Sequence, residues 1–439
     1  MNELLEKSGI KIPSITAEEI NVAIRPVLNK METAGIKIDC AALRKLDKKL
    51  SKKLDQLKQD IYKLVGHEFN IDSPIQMSEV LFKELKLPTD GLKRTKSGVS
   101  TAARELNKIL GEHKVIEPIL EHREISKLLS TYLKPLPILV DEQNRLHTTF
   151  GLETSTGRLT SSEPNLQNIP IRGKYGDEIR STFIAEKGMK LIAADYSQIE
   201  LRIVACLAHD TAMIEAFKKK QDIHTRTASE IFNTSLKKVT SEQRRKAKAV
   251  NFGIVYGQTP YGLSQSLGIS VEEAARYILH YFDIHRGIKD YINRMIEKAR
   301  SDGYVETLFG SKRYLPNINS SMRFVSESEE RMAINTPVQG TASEILKLAM
   351  IQLDKELSRS QVAGRRSNEK EKIGKRLTIN DKPEARMLLT VHDEIVVEAP
   401  EDQAKEVAEI MENVMETIIE LCVPMRVEIG IGKNWSEAK

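Results

Sequence analysis

Two short apolar segments, each followed by an acidic residue, constrain the fold of this chain most. Residues 191–194 are apolar and lead to Asp195, while residues 387–391 lead to the polar tip His392, Asp393 and Glu394, after which the chain is apolar again. Short apolar runs of this kind are typical of buried strands, and the second pattern is typical of a hairpin. We predict that both strands share one sheet, which would place the Asp195 and Asp393 carboxylates close together.

A close pair of carboxylates is suited to hard divalent cations, which prefer oxygen ligands from Asp, Glu and substrate phosphates. Two such cations about 4 Å apart would stabilise the attacking and the leaving oxygen of an in-line phosphoryl displacement. The alternative is that each Asp only stabilises a turn, because Asp is common at strand ends for that reason.

The segment 239–257 predicts a helix with one cationic and aromatic face. Thr240 and Gln243 fit a capping box, which predicts that the helix begins near Ser241. Four residues recur every fourth position and therefore share a slowly turning face: Arg244, Lys248, Phe252 and Tyr256. Cations near a helix N-terminus suit a polyphosphate, and an aromatic ring about 12 Å further along suits a base. The face fits a nucleoside triphosphate; the alternative is an ordinary surface helix with its aromatic residues in the core.

Most of the remaining sequence has a helical pattern. Residues 41–132 carry an apolar stripe with spacings of three and four, and residues 209–330 are also predicted to be mostly helical. The stripe consists of Leu43, Leu46, Leu50, Leu54, Leu57, Ile61 and Leu64. Such stripes are nearly always core packing, so we assign no chemistry to it.

Composition excludes several classes of protein. With 439 residues, 40% of them hydrophobic and 29% charged, the chain can form two or three folded units and is not largely disordered. No run approaches the ~18 apolar residues of a membrane span, and the first residues lack a signal-peptide pattern, so we expect a soluble, cytoplasmic protein. Cys40, Cys206 and Cys422 are far apart and form no CxxC pair. We therefore expect free thiols, with neither a disulfide nor a zinc site.

Several long motifs resemble the bacterial DNA polymerase I family, the family A DNA polymerases. The family's three motifs resemble DYSQIELR at 195–202, RRKAKAVNFGIVYG at 244–257 and VHDE at 391–394. Further similarity lies in TSTGRLTSSEPNLQNIP at 154–170, DIHTRTA at 222–228 and NTPVQGTASEILKLAM at 335–350. The motifs occur in the family's order, and the resemblance extends from about residue 25 onward.

The resemblance implies a role for individual residues. Asp195, Asp393 and the main-chain carbonyl of Tyr196 would bind two Mg²⁺ ions, for which Mn²⁺ can substitute, and Glu394 would be a nearby acidic residue of the catalytic group. The dNTP site would consist of Arg244, Lys248, His224, Phe252, Glu200, Gln198 and Tyr256. Within it, Lys248 would be the general acid for departing pyrophosphate, and Glu200 would be a steric gate against a 2′-hydroxyl. The residues that contact primer or template would be Arg158, Asn165, Gln167, Gln339 and His392.

The implied architecture is the right-hand polymerase fold of the α+β class, with a palm of antiparallel strands and helical fingers and thumb. The implied boundaries are 1–40 for the N-terminal part of the palm, 41–132 for the thumb, 133–206 for the palm with Asp195, 207–335 for the fingers and 336–439 for the palm with Asp393. Only about 24 residues precede the region of resemblance, so we expect no proofreading exonuclease domain. The expected function is template-directed addition of dNTPs to a primer 3′ end in DNA replication or repair, by a monomer without membrane contact.

Positive charge is concentrated in two segments. Residues 91–101 interrupt the helical pattern and carry Lys93, Arg94 and Lys96, which suits either phosphate contacts or a solvated loop. Residues 359–376, part of an insertion relative to the family, have a net charge of +5, equal to that of the whole chain. Their few apolar residues and lack of periodicity predict a surface excursion, either a solvated loop or an auxiliary contact with DNA.

Two other functions fit parts of the pattern. A phage-type single-subunit RNA polymerase shares the paired aspartates and a related fingers helix, but Glu200 favours deoxyribonucleotides. A non-catalytic nucleic-acid-binding relative would be expected to lack one of four residues, and all four are present: Asp195, Asp393, Arg244 and Lys248.

Overall fold

The computed structural model describes residues 10–96, 98–152, 156–170, 175–370 and 384–439, with the backbone alone for 360–370. The helices are α1 (Ala17–Ala34), α2 (Cys40–Val65), α3 (Pro74–Glu79), α4 (Ala103–Lys108), α5 (Ile116–Leu128), α6 (Leu136–Leu139), α7 (Gly176–Arg180), α8 (Ile199–Leu207), α9 (Thr211–Lys218), α10 (Ile223–Ile231), α11 (Ser241–Val255), α12 (Pro260–Leu267), α13 (Val271–Ile284), α14 (Arg286–Asp302), α15 (Arg323–Lys370) and α16 (Ala404–Thr417). The strands are β1 (Ile36–Ile38), β2 (Arg94–Thr95), β3 (Gly98–Val99), β4 (Arg145–Leu146), β5 (Thr149–Gly151), β6 (Thr160–Ser162), β7 (Phe183–Ile184), β8 (Met189–Tyr196), β9 (Tyr304–Glu306), β10 (Lys312–Tyr314), β11 (Arg386–Val391), β12 (Glu394–Pro400) and β13 (Val427–Gly432). None of the described helices combines the length and apolar character needed to cross a membrane.

The chain forms two compact units. The first contains Met1–Gly35, Thr148–Asn168 and Ala185–Lys439, and the second contains Ile36–His147 and Ile169–Ile184. The division into palm, fingers and thumb with the boundaries given above stays a prediction.

A four-stranded antiparallel sheet organises the first unit. Its strand order is β11-β12-β8-β13, so the predicted hairpin, β11 and β12, and the predicted strand β8 share one sheet, with β12 directly beside β8. Every residue of β12 is buried, because β12 lies between two other strands and α16 packs against the sheet. The prediction of a shared sheet is confirmed.

The second unit is built around the amphipathic helix α2. The side chain of Asp39 caps its first turn by accepting from the Ala42 N–H at 2.9 Å, and α2 packs against α5. Most of the predicted apolar stripe is buried, whereas Leu54 is half-buried and Leu64 is 37% exposed. The run 91–101 contains the short antiparallel pair β2–β3.

Region 209–330 is mostly helical, as predicted, and also contains the hairpin β9–β10, whose three-residue strands are too short to produce a recognisable alternation. One secondary-structure prediction in the first unit was wrong. Helix α15 continues to Lys370, so residues 359–370 are helical although they were predicted to be irregular. Extending an existing helix needs no new nucleus, and Gln, Ala, Arg, Glu and Lys are good helix formers. Residues 371–376 lie outside the described residues.

The expectation of three free thiols was also wrong. Cys206, near the end of α8, forms a disulfide with Cys422, which lies between α16 and β13, with a Cα–Cα distance of 5.7 Å. Cys40 is free and buried. The two paired cysteines are separated by 216 residues, so only the fold brings them together and their spacing in the sequence contains no sign of it.

A buried charged cluster links α9, α10 and the junction of α13 with α14. The Nδ1 atom of His285 lies 2.9 Å from Oδ1 of Asp210, and its Nε2 lies 3.4 Å from Oε2 of Glu230. The ring of Tyr281 contacts the imidazole, with 4.3 Å between the ring centroids and a tilt of 38°, and Arg226 pairs with Glu230. Burial alone would lower the pKa of His285, but the interactions with both carboxylates outweigh it and raise the pKa to about 9. His285 is therefore an imidazolium at neutral pH.

We expect His285→Phe to destabilise the protein by roughly 3 kcal/mol near pH 6, because it leaves the buried Asp210 carboxylate without its cation and removes one of the two cations that face Glu230. The folded pKa lies above the unfolded value of about 6.5, so the stabilisation is complete below that value and is lost as pH rises through about 9. Urea unfolding near pH 6 and near pH 10 should show a clearly smaller difference at the higher pH. Lys289→Gln, at an exposed position on the neighbouring helix α14, is the control. An equal loss at both pH values would show that the imidazolium charge is not the source.

Candidate active site

The predicted carboxylate pair lies at one end of the four-stranded sheet. Asp195, the penultimate residue of β8, is in register with Glu394 in β12 and with Glu428 in β13. Asp393 lies in the turn between β11 and β12, and the Tyr196 N–H donates to its carbonyl oxygen at 3.2 Å. His392 precedes it with a φ of 57°, the left-handed conformation of a tight turn. The sheet therefore brings the predicted acidic residues together.

The carboxylates of the acidic group, Asp195, Asp393 and Glu394, repel one another. Although the Asp195 side chain reaches solvent, the protein around it displaces much of its water, and together with the charges of Glu394 and Asp393 this raises its pKa to about 7. Burial also raises the pKa of Asp393, while Arg158 and His392 oppose that effect. Neighbouring carboxylates that resist ionisation together favour a bound cation.

The donor set fits a cation that keeps part of its coordination for other ligands. Among the described residues, no group of three or more His, Cys, Asp or Glu side chains is placed to hold a metal ion. Mg²⁺ is typically held by one or two carboxylates, with water and substrate phosphates in the remaining positions. The aspartate pair agrees with that mode. Tyr196 is fixed beside it, because its hydroxyl donates to the Met415 carbonyl oxygen at 2.9 Å.

Glu200 lies in the first turn of α8, directly after the carboxylate group. Its side chain is buried and forms an ion pair with Arg158. Burial raises its pKa to about 7; Arg158 opposes the shift and the charge of Asp393 adds to it. Gln198, the N-cap residue of α8, has a φ of 56°. The Ser343 hydroxyl of α15 donates to the Gly157 carbonyl oxygen at 2.8 Å, which ties the Arg158 loop to that helix.

The other predicted primer and template residues lie on two elements. Asn165 is exposed in the loop after β6, and its side-chain oxygen accepts from the Gln167 N–H at 3.0 Å. The Gln167 amide donates in turn to the Leu159 carbonyl oxygen at 3.1 Å. Gln339 is half-buried on α15. The hydrogen bonds of Asn165 and Gln167 give the loop a defined conformation.

The predicted nucleotide-binding face is formed by α10 and α11. Helix α11 begins at Ser241 with both hydrogen bonds of the predicted capping box, which confirms that prediction. A row of rings follows, with centroid distances of 5.7 Å between His224 and Phe252 and 5.8 Å between Phe252 and Tyr256. The Lys248 ammonium lies 5.9 Å from the Phe252 ring centroid.

Hydrogen bonding and burial determine the charges of Asp222 and His224 on this face. Arg244 makes a bidentate pair with Asp222, with distances of 3.0 and 2.8 Å. Burial opposes ionisation of Asp222, but hydrogen bonds from Arg244 and Thr225 outweigh it and lower its pKa to about 2. Burial lowers the pKa of His224 to about 4, so this imidazole is neutral at pH 7.

Three residues around the site were not predicted from the sequence to have a role: Asp222, Trp435 and Lys439. Asp222 holds Arg244, and it stands in the quoted DIHTRTA motif, so its position before a predicted helix was a usable signal. Trp435 donates to Glu394, and Lys439 lies near the same carboxylate. Trp435 is the only tryptophan in the sequence, but no local pattern indicates its partner.

Comparison with known proteins gives consistent matches. The family model described as DNA polymerase family A matches residues 40–437. The chain is 43% identical over 423 residues to the thermostable DNA polymerase I of Thermus aquaticus, covering 96% of this chain and 48% of that protein. It is 44% identical over 424 residues to the DNA polymerase I of Deinococcus radiodurans, covering 96% and 42%. It thus spans about half the length of the curated relatives it matches.

A solved structure agrees over nearly the whole chain. The POL domain of Pol1 from M. smegmatis, in complex with a DNA primer-template and dNTP, matches with a TM-score of 0.87 and 37% identity over 95% of this chain and 70% of that one. The predicted α+β polymerase fold is confirmed.

Proposed function

Because the chain belongs to DNA polymerase family A, we propose that it catalyses template-directed addition of dNTPs to a primer 3′ end, with release of pyrophosphate. The observation that carries the proposal is the placement of Asp195 and Asp393 at one end of the same sheet. The primer-template and dNTP in the complex of the M. smegmatis relative support the choice of partners.

The carboxylate group would hold the divalent metal that family A polymerases generally use. Asp195, Asp393 and the main-chain carbonyl of Tyr196 are the proposed ligands for two Mg²⁺ ions, or Mn²⁺ in their place. When bound, such a pair stabilises the charge on the attacking and leaving oxygens. Since the pKa of Asp195 is about 7, its ionised form and hence metal binding should weaken as pH falls below neutrality.

The face of α10 and α11 would hold the incoming nucleotide. Arg244 and Lys248 supply positive charge for the triphosphate, and Lys248 gives a proton to the leaving pyrophosphate. The Asn251 side-chain amide lies 3.1 Å from Nδ1 of His224, so the neutral ring accepts there and carries its proton on Nε2, from which it can donate to a phosphate oxygen. Asp222 orients Arg244 and so fixes the direction in which its remaining N–H groups point.

The sugar and the bases would be read by groups on either side of this face. Glu200 excludes a 2′-hydroxyl, with Phe252 and Gln198 beside the sugar and Tyr256 at the templating position. The proposed contacts of the primer-template duplex are Arg158, Asn165, Gln167, Gln339 and His392.

Extension of a primed DNA template with dNTPs or with NTPs tests the proposal. We expect strong preference for dNTPs, and Glu200→Ala should raise kcat/KM for NTPs by roughly 100-fold because it removes a steric contact. Glu200→Gln keeps the volume of the side chain and is the matched control; its discrimination should stay near that of the parent. Preference of the parent for NTPs would support an RNA polymerase, and no extension with either substrate would support a non-catalytic relative.

A further inference from the structure

Residues 433–439, which follow β13, fold back against the sheet beside the carboxylate group. Trp435 and Ala438 are completely buried. A Cβ atom on Gly430 would lie 2.8 Å from the main-chain nitrogen of Lys439, and one on Gly432 would lie 2.6 Å from the main-chain nitrogen of Ala438. The two glycines of β13 therefore allow the backbone of this segment to touch the strand next to β8.

This segment contacts both oxygens of Glu394. The indole N–H of Trp435 donates to Oε1 at 2.8 Å, and the Lys439 ammonium lies 3.9 Å from Oε2. Glu394 and Trp435 are both buried, and indole has a single N–H, so breaking this hydrogen bond leaves a donor and an acceptor unsatisfied. The carboxylate of Glu394 is thereby held in one orientation next to Asp195.

Lys439 acts on Asp195 as well. Its positive charge opposes the mutual repulsion of Asp195, Glu394 and Asp393. The acidic group therefore includes a cation from the segment that follows β13.

We propose that Trp435 and Lys439 are positioning residues that hold the Glu394 carboxylate in one orientation and partly neutralise it, and thereby limit how tightly the acidic group binds divalent cations. The inference rests on the proposed function, since it assigns these two residues to the metal site of that reaction. Without Lys439 the negative field at the site is stronger, and without the indole N–H the carboxylate is free to turn toward a bound cation.

Binding of Tb³⁺ to the full chain tests the role of Lys439 without any activity measurement. Trp435 is the only tryptophan, so excitation at a wavelength that indole absorbs and the 11 tyrosines do not will sensitise Tb³⁺ bound near Glu394. Lys439→Met should tighten Tb³⁺ binding by roughly three- to tenfold, since a unit charge is removed from the neighbourhood of the ion. Lys433→Met, an exposed lysine of the same segment, should change it less than twofold. Unchanged or weaker binding in Lys439→Met, or an equal change in Lys433→Met, would overturn the proposal.

The role of the indole is tested by Trp435→Phe in primer extension. We expect the Mg²⁺ concentration for half-maximal rate to fall about threefold and kcat to fall roughly tenfold, with KM for dNTP unchanged, because Glu394 would compete for the ion in an unproductive orientation. In the background of Glu394→Gln, the same change should have no further effect on Mg²⁺ dependence. A Trp435→Phe variant with normal Mg²⁺ dependence would refute this part.

Tyr291→Phe is the control for a general loss of stability, because it removes a buried hydroxyl that donates to the Ile334 carbonyl oxygen at 3.1 Å. It should lower the Tm comparably without altering Mg²⁺ dependence. The Lys439→Met experiment changes an exposed side chain and remains decisive if Trp435→Phe does not fold. If Lys439→Met tightens Tb³⁺ binding but the chain extends no primer, the proposed function is contradicted and this inference is not. If the chain extends primers but Lys439→Met leaves Tb³⁺ binding unchanged, the inference alone is contradicted.

Discussion

Asp195→Asn and Asp393→Asn should each lower primer extension by on the order of 10⁴-fold at saturating Mg²⁺ and dNTP. Each change keeps the size of the side chain but removes a charge that the proposed metal site requires. Binding of primer-template should stay within about threefold of the parent, because affinity for DNA depends mainly on contacts with its phosphates elsewhere on the protein. Single-turnover extension and fluorescence anisotropy of a labelled primer-template are the two measurements.

The matched control is Glu428→Gln. Glu428 is in register with Asp195 on the opposite side from Glu394, and its charge also raises the pKa of Asp195. It is exposed and has no proposed role, so its loss should change extension less than about threefold. Extension within tenfold of the parent in either aspartate variant would rule out the two-metal assignment.

Lys248→Ala should lower kcat by roughly 10³-fold while raising KM for dNTP much less. The reason is that the Lys248 ammonium would face charge that develops on pyrophosphate as it leaves, and such contacts contribute mainly in the transition state. Pre-steady-state extension with varied dNTP separates the two constants.

Lys246→Ala is the corresponding control on the same helix. Lys246 lies two residues from Lys248 and outside the four-residue spacing of the proposed face, so it points in a different direction. We expect its kcat to stay within about threefold of the parent. A similar loss in both variants would indicate a general electrostatic effect of α11 and not a proton donor at Lys248.

The parts of the fold predicted correctly from sequence are those with strong local signals. The capping box at Thr240 and Gln243 marks the start of α11 because both hydrogen bonds form within one helical turn. The apolar segments before Asp195 and around Asp393 indicate buried strands, and their acidic ends indicate a common edge. The individual roles of the site residues come from family resemblance and stay predictions.

The features that the sequence did not predict depend on contacts between distant parts of the chain. Cys206 and Cys422 meet only because the fold places α8 against the segment before β13, where Arg202 donates to the Pro424 carbonyl oxygen at 2.7 Å. Trp435 reaches Glu394 through a return of the chain for which glycines at 430 and 432 leave room, and no periodicity records that return. Helix α15 extends through a segment of low hydrophobicity because propagation depends on the preceding turns as much as on composition.

The position of β8 in the sheet has a consequence for biosynthesis. Both of its neighbours, β12 and β13, come from the last part of the chain, whereas β8 is made much earlier. At roughly 5–20 residues per second, the ribosome needs on the order of 10–40 s to pass from β8 to β12. During that time β8 is an apolar strand without its partners, a state prone to aggregation and suited to chaperone binding. The proposed metal site can therefore form only after β12 and β13 have been made, when the helices between β8 and β11 have had time to fold.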